Sequence, residues 1–323
     1  MSASTSGALS ELRDDVRARW RALDPLLPEP APLPPGCGAE LVVTGRGGHV
    51  QAAGSCGHWS GPADSLDLTW GAASRYQLTV QVAGPDVRRA MDELLSRWRE
   101  HLAGRPDAAG GDCAAVLNWP ARDVGGVIPL VRHGLSPLAV VAARDARARG
   151  DGAAGPEPDS GLRVRRAGPA DLGAVVRLGL EVVRFDANFG GVTERASTEP
   201  ALRQELADLL SDSQPWVWLA ERDGEPVGML AAEQPARARW IAPMTGAEPV
   251  GYLLLMGVRP DQRARGTGAA MAAQLNRQAA EAGVPVMLLH YAQVNPLSMP
   301  FWSQQGYRPL WTIWEAWPPG TVR

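Results

Sequence analysis

Between Tyr252 and Ala282 the sequence passes from an apolar run through a break at Pro260 to a helical pattern that opens on two glycines one residue apart. The core of this segment is Arg263-Ala264-Arg265-Gly266-Thr267-Gly268, followed by Ala269. Gly266 and Gly268 allow the backbone to come close to a ligand. Amides at the start of a helix, together with the positive end of its dipole, then face an anion. Arg263 and Arg265 add guanidinium charge suited to phosphate oxygens. The run Tyr252–Val258 does not alternate, which is how a strand buried on both faces reads. Strand, loop and helix in this order require an α/β arrangement. On spacing alone, an ordinary glycine turn before a helix explains the pattern about equally well.

The neighbouring segments supply a context. Leu162–Arg166 reads as a strand, and Asp171 as the N-cap of a helix carrying Leu172, Val175, Val176, Leu178 and Leu180. A second helix is expected over 201–210. Strands over 216–220 and 227–232 are joined by Arg222-Asp223-Gly224-Glu225, a strong hairpin signal. A helix over 266–282, a strand over 286–289, a helix over 296–305 stopped by Gly306, and a strand over 311–315 complete this half. The first half is less regular. It predicts a helix over 10–24 with Ser10 as N-cap, an extended Pro28–Pro35 stretch, and strands at 41–43, 66–70 and 76–82. A helix over 85–102, buried strands at 113–117 and 138–142, and a helix near 123–133 follow. Residues 145–161, charged and rich in Gly and Pro, are the expected boundary between domains at 1–150 and 161–323.

The 323 residues suffice for two domains with real cores. A net charge of −3 gives no global basic field for nucleic acid. Every basic residue is arginine, and with abundant Ala, Gly and Pro this points to a GC-rich genome of the actinobacterial kind. Cys37, Cys56 and Cys113 are far apart and show neither metal-ligand nor disulfide spacing, so no metal is expected. Neither a leader pattern nor a membrane-length apolar run appears, and a cytoplasmic protein without a membrane partner is expected.

The order hairpin, strand, Arg263-x-x-Gly266-x-Gly268, helix, strand, Asn295, helix with Phe301-Trp302, then Gly306-Tyr307 resembles the GCN5-related N-acetyltransferase (GNAT) superfamily over roughly 162–317. The resemblance implies a mixed, splayed sheet with helices on both faces. Backbone groups of Met256, Gly257 and Val258 would pair with a pantetheine arm, and Arg263 to Ala269 would hold a pyrophosphate. Asn295 and Trp302 would contact the cofactor arm. The implied cosubstrate is acetyl-CoA or another acyl-CoA, and the implied reaction is direct attack of a small-molecule amine on the thioester, with strand amides near 256–258 stabilising the oxyanion.

One departure stands out. The family usually places a Tyr acid where this chain has Trp302, and an indole N–H is no usable acid near neutral pH. The acid is then Tyr291, Ser298 or water, or is absent. Glu233, ending the second hairpin strand, is the first candidate base, and His290 the second. Each also reads as an ordinary residue, a solvated strand-end carboxylate and a hydrogen-bonded core histidine. Phe185, Asp186 and Phe189, with Gly190 and Gly191 after them, suggest a loop closing on the acceptor, with Asp186 pairing a cationic amine; a helix end with a glycine stop explains them equally well. Most tryptophans of this half (Trp216, Trp218, Trp240, Trp311, Trp314 and Trp317) are expected in packing, and a few in an apolar substrate or acyl pocket. A homodimer through an exposed strand edge is one expectation. A non-catalytic acyl-CoA-binding or regulatory protein, and a transferase drawing on aminoacyl-tRNA, are the competing readings.

The first half carries a faint echo. Asp123 to Leu138 and Asn295 to Leu310 align at a constant offset of 172, with Gly at 134 and 306, Pro at 137 and 309, and Leu at 138 and 310. Two tandem GNAT-like domains are therefore expected. At that offset positions 91–96, Met-Asp-Glu-Leu-Leu-Ser, face 263–268 and lack a glycine, so the first copy is expected to be degenerate.

Overall fold

The structure is a computed structural model that describes residues 3–34, 40–45, 47–105, 108, 111–146 and 161–322. Its elements are α1 (Ala3–Leu23), β1 (Glu40–Thr44), β2 (Val50–Ser60), β3 (Ser74–Val82), α2 (Val87–Ala103), β4 (Cys113–Pro120), α3 (Val127–Arg132) and β5 (Ser136–Asp145). After these come β6 (Leu162–Arg166), α4 (Leu172–Asp186), α5 (Thr198–Leu210), β7 (Val217–Arg222), β8 (Glu225–Glu233) and β9 (Val250–Val258). The last are α6 (Thr267–Glu281), β10 (Val286–Ala292), α7 (Ser298–Gln304) and β11 (Arg308–Ala316). The fold is mixed α/β and holds two GNAT-like halves, as the sequence predicts. Both run three strands, helix, strand, short helix, strand.

The chain forms two compact units. One comprises the described residues of Met1–Gly61, Ala72–Val140 and Pro309–Arg323, the other Pro62–Gly71 and Val141–Arg308. Within the first, strand order is β1-β2-β3-β4-β11-β5. β3 and β4 run parallel, whereas β2–β3 and β4–β11 are antiparallel. Helix α2 turns Met91, Leu94, Leu95 and Trp98 into a core with Leu78, Leu117 and Trp314. Their i, i+3, i+4, i+7 spacing makes this face, and each such side chain contributes about 1.5–3 kcal/mol on burial. Leu12 and Val16 of α1 pack on Ala53 and Ala83.

Within the second unit the order is β5-β10-β9-β8-β7-β6, with β9 and β10 parallel and β6 to β9 antiparallel. Val175, Val176 and Leu178 of α4 and Leu202 and Leu206 of α5 cover Leu219, Met229, Ala231 and Leu255. Helix α6 buries Met271 and Leu275, and a Cβ on Gly228 would meet the Met271 methyl at 3.0 Å. Gly257 sits so close to α4 that a Cβ would lie 2.3 Å from Val182. Arg195 ties the Leu66–Trp70 turn into this unit by donating to Leu68 O at 2.8 Å.

Several expectations change. Leu66–Trp70 is a 3-10 turn rather than a strand, because the Ser65 side chain caps it by accepting from Asp67 N. Helix α1 begins at Ala3, so Ser10 lies inside the helix. Asp171 does not cap α4. Arg165 clamps its carboxylate at 2.8 Å and Gly168 N donates to it at 2.9 Å. β2 escapes the sequence reading because its Ala-, Gly- and Ser-rich residues are weak strand formers. Within residues 145–161, 147–160 lie outside the described residues, as does Cys37; Cys56 and Cys113 are buried.

The repeat extends to individual hydrogen bonds at the same offset. Asp123 N→Pro120 O (2.9 Å) matches Asn295 N→Ala292 O (3.1 Å), and Leu135 N→Leu130 O (3.0 Å) matches Tyr307 N→Trp302 O (2.9 Å). Gly134 and Gly306 adopt φ of 82° and 83°. The offset fails at the phosphate loop, because the loops differ in length. Met91, Leu94 and Leu95 lie inside α2, and the first unit joins strand to helix by Ala83–Asp86 where the second uses Arg259–Gly266. In the short connection Asp86 accepts from Arg89 N at 3.0 Å, so a carboxylate already sits at the helix start.

Candidate active site

A cleft of about 970 Å³ opens in the second unit, lined by α4, the end of β9, the following loop, the start of α6 and the Asn295–Gln305 segment. Its origin lies in the strands. β10 pairs with β9 only over Val286–Leu289 and Val250–Leu253. From Leu254 onward the edge of β9 that faced β10 is open, while its other edge stays bonded to β8 as far as Val258. An open strand edge offers backbone donors and acceptors to an extended ligand arm. Met256, Gly257 and Val258 all line the cleft.

The loop at its end is shaped for an anion. Ala264 and Gly266 adopt φ of 59° and 77°, two left-handed residues that turn the backbone sharply. The first carbonyl taken up in α6 is Gly266 O, by Ala270 N at 2.9 Å, so the amides of Thr267, Gly268 and Ala269 have no partner within the helix. The Thr267 hydroxyl, 1% exposed, is buried without a partner and lines the same cleft. Gly268 lets Phe301 approach, since a Cβ there would be 3.2 Å from the ring. Buried orphan donors beside free helix amides fit a pyrophosphate.

The predicted residues divide. Arg263 lines the cleft, donates to Val258 O at 3.2 Å and lies over the Phe185 ring at 4.7 Å. Arg265 is exposed and is not part of the wall. Asn295 is buried; its Oδ1 accepts from Leu297 N (3.0 Å) and its Nδ2 donates to Asp186 (2.9 Å). Phe185 and Asp186 thus stand on the same cleft as the loop and Asn295, while Phe189 packs edge-on against Phe185 outside the wall. Burial pushes the Asp186 carboxyl up to about 6, against the opposing pull of the Asn295 hydrogen bond. Trp302 lines the cleft, packed between Phe301 and Tyr307 at 4.8 and 5.3 Å.

Glu233, His290 and Tyr291 are outside the cleft wall. Glu233 is paired across the sheet with Tyr252 and accepts from the Trp240 indole at 2.8 Å. Burial raises its carboxyl, helped by Glu205, and the indole hydrogen bond and Arg237 oppose this. His290 Nδ1 is 3.0 Å from the Tyr252 hydroxyl, and burial lowers its imidazole to about 4, which leaves it neutral. Tyr291 is the next residue of the strand and so points to the opposite face, where burial raises its phenol. The sequence reading missed Trp240 and Tyr252 as neighbours of Glu233; a Trp seven residues after a strand-end carboxylate was the available signal. Among the described residues no cluster of His, Cys, Asp and Glu could hold a metal ion, and no helix is long and apolar enough to cross a membrane.

Residues 185–307 match the acetyltransferase (GNAT) family model. The second half of the chain is therefore a domain of the GNAT superfamily. A GCN5-related N-acetyltransferase from Sphaerobacter thermophilus is 15% identical, with 86% of this chain and 80% of that one covered and a TM-score of 0.51, so the fold likeness extends well beyond this half. A GCN5-related N-acetyltransferase from Kribbella flavida is 18% identical (86% and 88% covered, TM-score 0.44). A tandem GNAT protein from the clavulanic acid biosynthesis pathway is 15% identical (98% and 97% covered, TM-score 0.44). No curated protein matches the chain.

Proposed function

We propose that residues 161–323 carry an acyl-CoA-dependent N-acyltransferase, most simply one that acetylates a small-molecule amine, and that residues 1–150 form a degenerate copy without a coenzyme A loop. The observation that carries this reading is the cleft itself. An open strand edge leads to a helix start whose amides and buried Thr267 hydroxyl face one anion site. Bound there, an acyl-CoA supplies a thioester carbonyl for attack.

The chain's own groups do the rest. Thr267, Gly268 and Ala269 hold the pyrophosphate, and the edge of β9 holds the pantetheine. This directs the acyl end toward the closed end of the fork, near Leu254 and His290. Glu233, its carboxyl raised by burial, is the base that takes a proton from the incoming amine. His290, neutral and bonded to Tyr252, fixes the wall beside it. Trp302 donates no proton at neutral pH, and Tyr291 faces away from His290, which leaves water or the Ser298 hydroxyl on the cleft wall, neither an acid of phenol strength, to protonate the departing thiolate. Loss of a positioned acid costs about 10²–10⁴-fold in rate and leaves the reaction feasible.

Acetyl-CoA binding by calorimetry, together with release of free thiol in the presence of an amine panel, tests this. Micromolar binding with amine-dependent thiol release is expected. Tight binding with no thiol release from any amine would sink the enzyme reading in favour of an acyl-CoA-binding protein.

A further inference from the structure

At the closed end of the β9–β10 fork four side chains meet that the coenzyme cleft does not use. His290 is the first residue of β10 beyond its last paired position, Leu289. Tyr252 stands opposite Leu288 on one side and Glu233 on the other. Trp240 comes from a 3-10 turn between β8 and β9. The Trp240 and Tyr252 rings are 4.9 Å apart at 75°, Tyr252 and His290 5.7 Å at 68°, and Trp240 and His290 6.3 Å and nearly parallel. Glu233 and Tyr252 are buried, yet Trp240 is 56% exposed. An exposed indole over buried rings and a buried carboxylate is a binding platform rather than core packing.

The charges around it point one way. Glu233 is hydrogen-bonded by an indole, not by a cation. Glu205 is close enough to raise its carboxyl further. The nearby Arg237 guanidinium is held by Asp212 at 3.0 and 3.1 Å. A buried carboxylate in acidic surroundings favours a cationic partner. The competing feature is Arg239, exposed in the same turn, which would favour a carboxylate-bearing ligand.

Resting on the acyltransferase reading, we infer that the acceptor is an organic ammonium ion with an aromatic body and no carboxylate, its charge on Glu233 and its body against Trp240, Tyr252 and His290. The ammonium displaces the Trp240 indole from Glu233. It then gives up two protons, one through Glu233 to solvent and one that balances the proton taken up by the leaving thiolate. A C–N bond forms, the C–S bond breaks, and the products are an amide and the free thiol of CoA.

Three matched amines separate the contributions: 2-phenylethylamine, phenylalanine (the same body with a carboxylate) and ethylamine (the same charge without the ring). Calorimetric binding to the acetyl-CoA complex and thiol release are measured in parallel on the full chain. About tenfold or greater preference for 2-phenylethylamine over both others is expected, the size of an aromatic packing contact plus burial of the ring against ethylamine, and of a carboxylate brought near Glu233 against phenylalanine. Trp240→Ala removes that preference with acetyl-CoA affinity unchanged. Trp240→Phe keeps most of it but moves the acid limb of the kcat/KM profile upward, because the donor that stabilises ionised Glu233 in the free enzyme is gone. Equal or better use of phenylalanine, or an unchanged preference in Trp240→Ala, overturns the inference. Preferential binding without thiol release supports the ammonium site and overturns acyl transfer. Thiol release without preference does the reverse, and neither binding nor release overturns both.

Discussion

Positions 123 and 295 sit at the same place in the two repeats and use the same local device. Each side-chain oxygen accepts an amide two residues on, Gly125 N and Leu297 N, both at 3.0 Å. What meets them differs. Asp123 is gripped by Arg19 of α1 through Nε and Nη2 at 2.7 and 2.6 Å, with its side chain 1% exposed. Asn295 donates to Asp186 at the end of α4, and among the described residues its Nδ2 makes no other bond. In the first repeat a bidentate ion pair saturates the carboxylate and closes the space. In the second, an amide and a carboxylate keep bonding capacity toward the cleft. One difference at a turn position shared by the two repeats separates packing from a cleft wall, provided that the helix opposite changes with it.

The largest expected effect bears on the loop that only the second repeat has. Gly268→Val drives a side chain against Phe301 and blocks the backbone approach to an anion. Acetyl-CoA affinity should fall by at least about 100-fold, roughly 3 kcal/mol, by calorimetry. Retained binding would separate the cleft from the cofactor.

Arg19→Ala leaves the Asp123 carboxylate buried and unpaired. It should cost about 2–3 kcal/mol in urea unfolding, discounted for the partial exposure of Arg19, and acetyl-CoA affinity should not change. A loss within about 0.5 kcal/mol would show the lock to be ornamental.

Asp186 offers a pH test. Its carboxyl is raised from 3.8 to about 6, so the folded chain binds a proton between those values that the unfolded chain has released. Stability from this group is therefore full below pH 4 and is lost as pH rises toward 6. Asp186→Asn should flatten that part of a plot of Tm against pH relative to the parent, and parallel curves would remove Asp186 as the source.

The smallest effect is at Asp86, which caps α2 where the second repeat has its anion loop. Asp86→Ala should lower stability by about 1 kcal/mol and leave acetyl-CoA affinity unchanged.

Much of this was legible beforehand because the signals are short-range. The apolar run before Pro260, the glycines at 266 and 268, and the Asp223-Gly224 turn act within a few residues of themselves, and the elements they announce are present. Asp171 and Leu66–Trp70 misled for the converse reason. A capping residue was captured by Arg165, and an apolar stretch was curled by Ser65, so a nearby side chain overrode the local pattern. The offset of 172 points to the wrong positions, 91–96, as the counterpart of the loop. A fixed offset cannot survive a connection of different length, and 91–96 proved to be buried helix instead of the missing loop.

The sequence by itself determined that a helix opening on two glycines follows a buried strand in the second half, and that positions 123–138 repeat at 295–310. Both follow from glycine geometry, helix amides and turn chemistry, which are local properties of the chain. Only the tertiary structure decided that β10 parts from β9 after Leu289, that Trp240 reaches Glu233, and that Asp186 rather than a cation meets Asn295. They depend on strand register, on how the turn between β8 and β9 folds back, and on α4 docking beside a residue 109 positions further on. No local pattern encodes such distances, because the same turns and strands are compatible with many closures until the cores are packed.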